Sequence, residues 1–244
     1  MTSIENKTVR EIAIQNPATV RIFESLGIDY CCGGRRSLEE ACDRAKVPLS
    51  EALDRIAEAE AEQGAQEQDQ WADAPLSAVI QQIVNRHHEF VRQEVPRLQA
   101  LLAKVVNRHG EAHAELANIQ ELFTALGQEL FAHLMKEERI LFPFIERMEA
   151  AMLNGESFPG SCFGTIQMPI ARMLADHDDA GELTSKIRAL ANGFHAPEGA
   201  CPSYRGLYHG LNEFERDLHR HIHLENNILF PRAVEMERAQ QEAA

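Results

Sequence analysis

No apolar run in the chain approaches the roughly 20 residues needed to cross a bilayer, which argues against a membrane helix. Residues 1–10 are polar and lack the apolar stretch of a secretory signal, so a cytoplasmic location is expected. Positive charge is scarce, with 24 Lys and Arg against 38 Asp and Glu and a formal net charge of −14. A nucleic-acid partner would want a basic face, and the balance argues against one. Cysteine is sparse too. There are five, an odd number that includes the adjacent pair Cys31 and Cys32, which does not suit a secreted disulfide framework. What remains is an ordinary globular composition, 44% hydrophobic and 25% charged over 244 residues. That length suits one domain with a small companion.

The chain repeats itself. His133-x-x-x-Glu137, followed by Ile140, Leu141, Phe142 and Pro143, recurs as His221-x-x-x-Glu225, followed by Ile228, Leu229, Phe230 and Pro231. Every matched pair is 88 residues apart, and so are the acids four residues ahead, Glu129 and Asp217. A packed core does not require a histidine and a glutamate to recur in register with their apolar neighbours. A metal site with two equivalent halves does.

Residues 1–60 read as a small helical domain. Thr8 with Glu11 and Ser37 with Glu40 are capping-box patterns, and Asn16-Pro17 suits a helix start. Gly27 suits a helix stop, Gly33-Gly34 a turn, and Ser50 the cap of a last helix. Residues 61–74 are polar and aperiodic and read as a linker, or as a frayed extension of that helix. From 75 to 238 the pattern is long and helical. Val84, Val91, Val95, Leu98 and Leu102 are spaced three, four or seven apart in a first helix over about 75–108. Further helices are expected over about 112–151, 168–191 and 204–238. The expected fold class is therefore all-α, an up-down-up-down four-helix bundle behind a small helical domain. Pro143 and Pro231 fall inside helical patterns and predict a kink or break at each.

Residues four apart share one helix face, so each repeated His-x-x-x-Glu offers two ligands one turn apart. Leu130, Leu134, Ile140 and Leu141, then Leu218, Ile222, Leu224 and Ile228, mark those faces as inward. A single such pair is ordinarily an exposed helix contact. Two in register, each with a partner histidine on the preceding helix, point to a metal centre, because a buried carboxylate needs a charge partner or a cation. His88 and His177 are those partners, 45 and 44 residues ahead of His133 and His221, and His88 fits this spacing better than His87. The candidate ligands are His88, His133, Glu137, His177, His221 and Glu225. Imidazole and carboxylate together suit two iron ions, with both carboxylates bridging beside an oxo or hydroxo group. Glu129 and Asp217 are candidates for outer acceptors or proton carriers. The remaining histidines, His109, His113, His195, His209, His219 and His223, show no such pattern and are mostly expected at the surface.

On these motifs residues 75–238 resemble a hemerythrin-type di-iron bundle. The oxygen-carrying hemerythrins have two histidines four apart on the third helix, whereas here His177 is followed by Gly181. The missing nitrogen implies a more open site, suited to redox chemistry or iron release rather than oxygen carriage. The N-terminal run Asp29, Tyr30, Cys31, Cys32, Gly33, Gly34 resembles the small domain of the ScdA/YtfE group, the repair-of-iron-centres proteins. That resemblance implies repair of iron–sulfur clusters damaged by nitrosative or oxidative stress, with damaged iron–sulfur proteins as partners and nitric oxide as a small ligand. It leaves open a nitric oxide-reducing enzyme that forms nitrous oxide, and a homodimer. An oxygen-binding or oxygen-sensing protein is disfavoured. Cys31 and Cys32 are candidates for redox or iron handling, with Arg35 and Arg36 following to favour thiolate. The competing reading is a pair of buried, inert sulfurs at a helix stop.

Overall fold

The computed structural model describes residues 4, 7–16, 18–31, 33–62, 71–158, 160 and 163–243. These residues form an all-α fold; among them there is no strand, only an isolated β-bridge between Thr8 and Ser37. Among the described residues no helix is long and apolar enough to cross a membrane. By contact density the chain divides into two units, residues 1–79 with 219–232 and residues 80–218 with 233–244.

The first unit begins with four short helices, α1 (Val9–Gln15), α2 (Ala18–Leu26), α3 (Leu38–Ala45) and α4 (Leu49–Glu62). Both expected capping boxes form. Thr8 Oγ1 accepts from the Glu11 N–H while Glu11 bonds back to the Thr8 N–H, and Ser37 and Glu40 do the same ahead of α3. Gly27, at φ +68°, ends α2, and the Ile28 N–H reaches back to the Phe23 carbonyl. Ser50 lies inside α4 rather than capping it, because the Pro48 carbonyl already takes the N–H groups of Glu51 and Ala52. Pro17, and residues 63–70 of the expected linker, lie outside the described residues. Val9, Ile12, Phe23, Ile28, Tyr30, Leu38 and Ile56 are buried. Arg220 forms a two-pronged bond to Glu24, which also accepts from the Tyr30 hydroxyl. Asn227 donates to the Tyr30 carbonyl. A Cβ on Gly34 would stand 2.7 Å from that same carbonyl oxygen, so only glycine fits the turn.

Four long helical runs follow. They are α5 (Leu76–Gln82) with α6 (Glu89–His109), α7 (Glu115–Lys136) with α8 (Phe142–Asn154), α9 (Gln167–Leu190), and α10 (Pro202–His223) with α11 (Phe230–Ala243). In the second unit α7 packs against both α6 and α9. Gly127 makes the first of these contacts close, since a Cβ there would meet Val95 Cγ1 at 2.7 Å. Val91, Val95, Leu98, Leu102 and Val105 form the buried stripe of α6.

Of the kink or break expected at the prolines, the break does not occur. At Pro143 and Pro231 the run neither breaks nor ends; it widens into a π turn just ahead of each proline, over Glu137–Leu141 and Leu224–Leu229. A proline has no N–H to offer the carbonyl four residues back. The residue before it reaches five back instead, Phe142 to the Glu137 carbonyl and Phe230 to the Glu225 carbonyl. A third π turn, Ile83–His88, has no proline. It shifts the inward face by one residue, so Ile83 is buried where Val84 was expected and Val84 is half-buried.

Candidate metal centre

Three of the six ligand candidates sit in the three π turns, one in each. His88 closes the first, Glu137 opens the second and Glu225 is second in the third. Such turns are one-residue widenings of an α-helix and are frequent at functional sites. His133 lies in the last turn of α7, His177 in the middle of α9 and His221 near the end of α10. All six side chains are buried, Glu137 and Glu225 completely.

These six fall into two overlapping groups. His88, Glu137, His221 and Glu225 each offer an atom such that all lie within 4.8 Å of one another, and so do His133, Glu137, His177 and Glu225. Both carboxylates belong to both groups. His88 Nε2 and His133 Nε2 approach the same oxygen, Glu137 Oε2, at 3.4 and 3.3 Å. His221 Nε2 is 2.9 Å from Glu225 Oε1.

The opposite edges of two of the rings are tied back. His88 Nδ1 is 2.6 Å from Glu138 Oε1, and Arg92 donates to both oxygens of Glu138. His133 Nδ1 is 3.3 Å from Asp176 Oδ2, and Asp176 also holds Lys136 and Arg172. Burial alone would raise the Glu138 carboxyl, but hydrogen bonds from Arg92 and His88 outweigh it and hold it below its ordinary value. Asp176 is lowered in the same way, with Lys136 and His133 overcoming its burial. Charged carboxylates at Nδ1 keep the proton there and leave the Nε2 lone pair facing inward. Phe142 stacks on His88 at 5.7 Å between centroids and fixes its plane.

This donor set fits a cation. Two fully buried carboxylates so close together repel one another and are costly without positive charge. His133 Nε2 and His177 Nε2 stand 3.0 Å apart. With the His133 proton held on Nδ1, either a proton from His177 or a shared cation satisfies that approach. Imidazole nitrogen with hard carboxylate oxygen suits iron or manganese better than copper.

A family model described as the hemerythrin HHE cation binding domain matches residues 79–233. The chain belongs to the hemerythrin family. A second model, a domain of unknown function named ScdA_N, matches residues 5–60 of this hemerythrin-family chain. Among curated proteins it is 39% identical over 231 residues to the iron–sulfur cluster repair protein YtfE of Pectobacterium atrosepticum, covering 94% of this chain and 97% of that protein. It is 37% identical over 229 residues to the YtfE of Pectobacterium carotovorum subsp. carotovorum, covering 94% and 97%. To a probable iron–sulfur cluster repair protein of Haemophilus influenzae it is 35% identical over 236 residues, covering 95% and 98%.

The other singled-out residues divide. Asp217 is buried with its Oδ2 3.0 Å from His87 Nδ1, so His87, the histidine passed over as a ligand, faces this acid. Glu129 does not join the cluster. It is exposed on α7, because the next residue, Leu130, takes the inward position of that turn. Cys31 is buried with its Sγ 3.5 Å from Asp29 Oδ1, and Arg36 lies 3.8 Å from the other oxygen of Asp29. One carboxylate, that of Asp29, thus meets both this thiol and Arg36. Cys32 lies outside the described residues.

The expected surface position holds for His195 and His209 but fails for His223, which is buried. Its Nδ1 accepts from Asn227 Nδ2 at 2.8 Å, which fixes the neutral ring. Burial, helped by the charge of Arg10, depresses His223 to about 4. The folded state therefore prefers neutral His223. Its contribution to stability is full above about pH 6.5, the ordinary histidine value, and is lost as pH falls from there. By pH 4 the loss in the metal-free protein is expected to be on the order of 3 kcal/mol. Urea melts at pH 7 and pH 4 test this against His223→Gln, which should flatten the decline; an equally steep decline in the variant would assign the effect elsewhere.

Proposed function

We propose that this chain is a two-iron, cytoplasmic protein that repairs iron–sulfur clusters damaged by nitrosative or oxidative stress. The observation that carries the reading is the pair of overlapping groups that share Glu137 and Glu225. The repair activity named for its full-length relatives supports the same conclusion. His88 and His221 would hold one iron and His133 and His177 the other, with the two glutamates common to both. Iron bound there supplies one-electron redox chemistry and affinity for nitric oxide. The chain's own residues set the conditions. Glu138 and Asp176 hold the proton on the outer nitrogens of His88 and His133, and the buried leucines and Phe142 exclude bulk water. At His177 the third helix offers one imidazole, with Gly181 four residues on in place of a second side chain that could act as a ligand.

The test is repair itself. A hydratase whose [4Fe–4S] cluster has been damaged by nitric oxide is incubated anaerobically with the iron-loaded protein, with the iron-free protein, and with Glu137→Ala. Activity is expected to return only with the iron-loaded wild type. Equal recovery in all three, or in none, would overturn the proposal.

A further inference from the structure

Away from the histidine–glutamate cluster, the second unit holds a thiol and an imidazole within hydrogen-bonding distance. Cys201 Sγ lies 3.2 Å from His109 Nε2, although 92 residues separate them in the chain. We propose that Cys201 and His109 form a reactive thiol–imidazole pair that exchanges with low-molecular-weight disulfides. A nucleophile and a base in hydrogen-bond reach are the minimum for such chemistry.

The surroundings favour this role over a packed sulfur. Cys201 directly precedes α10, a helix of 22 residues that begins with Pro202, and its carbonyl accepts from the Arg205 N–H. The sulfur therefore sits at the positive end of a long helix, where negative charge on it is stabilised. It is also reachable. Cys31 and Cys42 are buried, whereas Cys201 is half-buried, and so is His109. The groups around the pair come from each neighbouring segment. His109 ends α6, His113 follows in the connection, Glu115 begins α7, and Tyr204 and Tyr208 lie on α10. The Tyr204 ring packs on His109 at 5.5 Å and on His113 at 5.4 Å between centroids, which holds the imidazole in place. His113 bonds to Glu115, and the Tyr204 hydroxyl donates to the same carboxylate oxygen. That carboxylate is thus engaged with His113 and Tyr204. Burial, with the bond to Tyr208, pushes the Tyr204 phenol far above its ordinary value, so it stays neutral beside the pair.

The step balances without further reagents. His109 takes the proton from the Cys201 thiol, and Sγ attacks one sulfur of the disulfide. The new S–S bond forms as the old one breaks, and its electron pair leaves with the second sulfur, which receives the proton from His109. Cys201 is oxidised to a mixed disulfide, and the departing half is reduced to a free thiol.

Oxidised glutathione is the probe, applied to the full-length, iron-loaded protein at pH 7, with the mixed disulfide located by peptide mass spectrometry. Free thiols are only a few per cent ionised at this pH, so sharing the proton with His109 should speed exchange about tenfold. Cys201 is expected to react about ten times faster than N-acetylcysteine and faster than Cys42, and His109→Gln should remove the advantage. A rate at Cys201 equal to that of N-acetylcysteine, or unchanged in a folded His109→Gln protein, would overturn the pair. The comparison with N-acetylcysteine needs only the wild type, so it stands if the variant fails to fold. Cys201→Ser should lack the adduct while keeping its full iron content, since neither residue belongs to the metal groups.

Discussion

Glu137→Ala and Glu225→Ala are each expected to lose iron at both positions at once. Each carboxylate belongs to both four-residue groups, so removing either disturbs two coordination spheres. Iron per chain after anaerobic loading should fall from about two to well below one, whereas His209→Ala, on an exposed residue, should keep its iron. Stability adds a second readout of opposite sign. A buried carboxylate beside another is unfavourable without a cation, so the iron-free variants should melt no lower than the iron-free wild type. Iron should then raise the melting temperature of the wild type and leave that of the variants unchanged. Two iron-free variants that are strongly destabilised yet bind iron normally would make these glutamates structural and sink the ligand assignment.

The second large effect is expected at residues that touch no metal. Glu138→Gln and Asp176→Asn keep shape but remove the charge that orients His88 and His133. Acceptors of this kind typically change metal affinity 10- to 100-fold when altered. The expected result is iron that is bound but weakly held, released by a chelator that the wild type resists. Glu138→Gln should also release Arg92, whose two bonds to this carboxylate are its main anchor in the cluster. Chelator titration followed by iron absorbance separates this from the glutamate variants above, which should not load at all. Chelator resistance equal to wild type in both variants would remove the orienting role.

The ligand candidates were legible in the sequence because they carry a double signature. His133 with Glu137 and His221 with Glu225 repeat in register, and the 45- and 44-residue spacings pick out His88 and His177. Spacing could also prefer His88 over His87, and His87 faces Asp217 instead. The orienting acids were not legible. Glu138 directly follows one candidate ligand and Asp176 directly precedes another, and successive residues on a helix point about 100° apart, so both read as solvent-facing. Each serves a histidine on a different helix, a relation that no single-helix period contains. Glu129 misled for a related reason. The 88-residue register placed it with Asp217, but the inward position of its turn goes to Leu130. The capping boxes at Thr8 and Ser37 were readable because both partners lie within four residues. The buried state of His223 was not, since it depends on Asn227, Tyr30 and Arg10 meeting around it.

The π turns impose a rule on length rather than on identity. Two of them place an extra residue between a ligand candidate and the apolar face that follows it, and at each of these two a proline marks where the helix recovers its ordinary pitch. Each of these turns already absorbs one extra residue, so adding another between Glu137 and Pro143, or between Glu225 and Pro231, would rotate everything downstream by about 100° relative to the ligands. Phe142 would then turn away from His88, with every side chain still chemically present. These two stretches can therefore accept exchanged side chains far more readily than a changed residue count, and the centre depends on the phase of its helices as much as on its histidines.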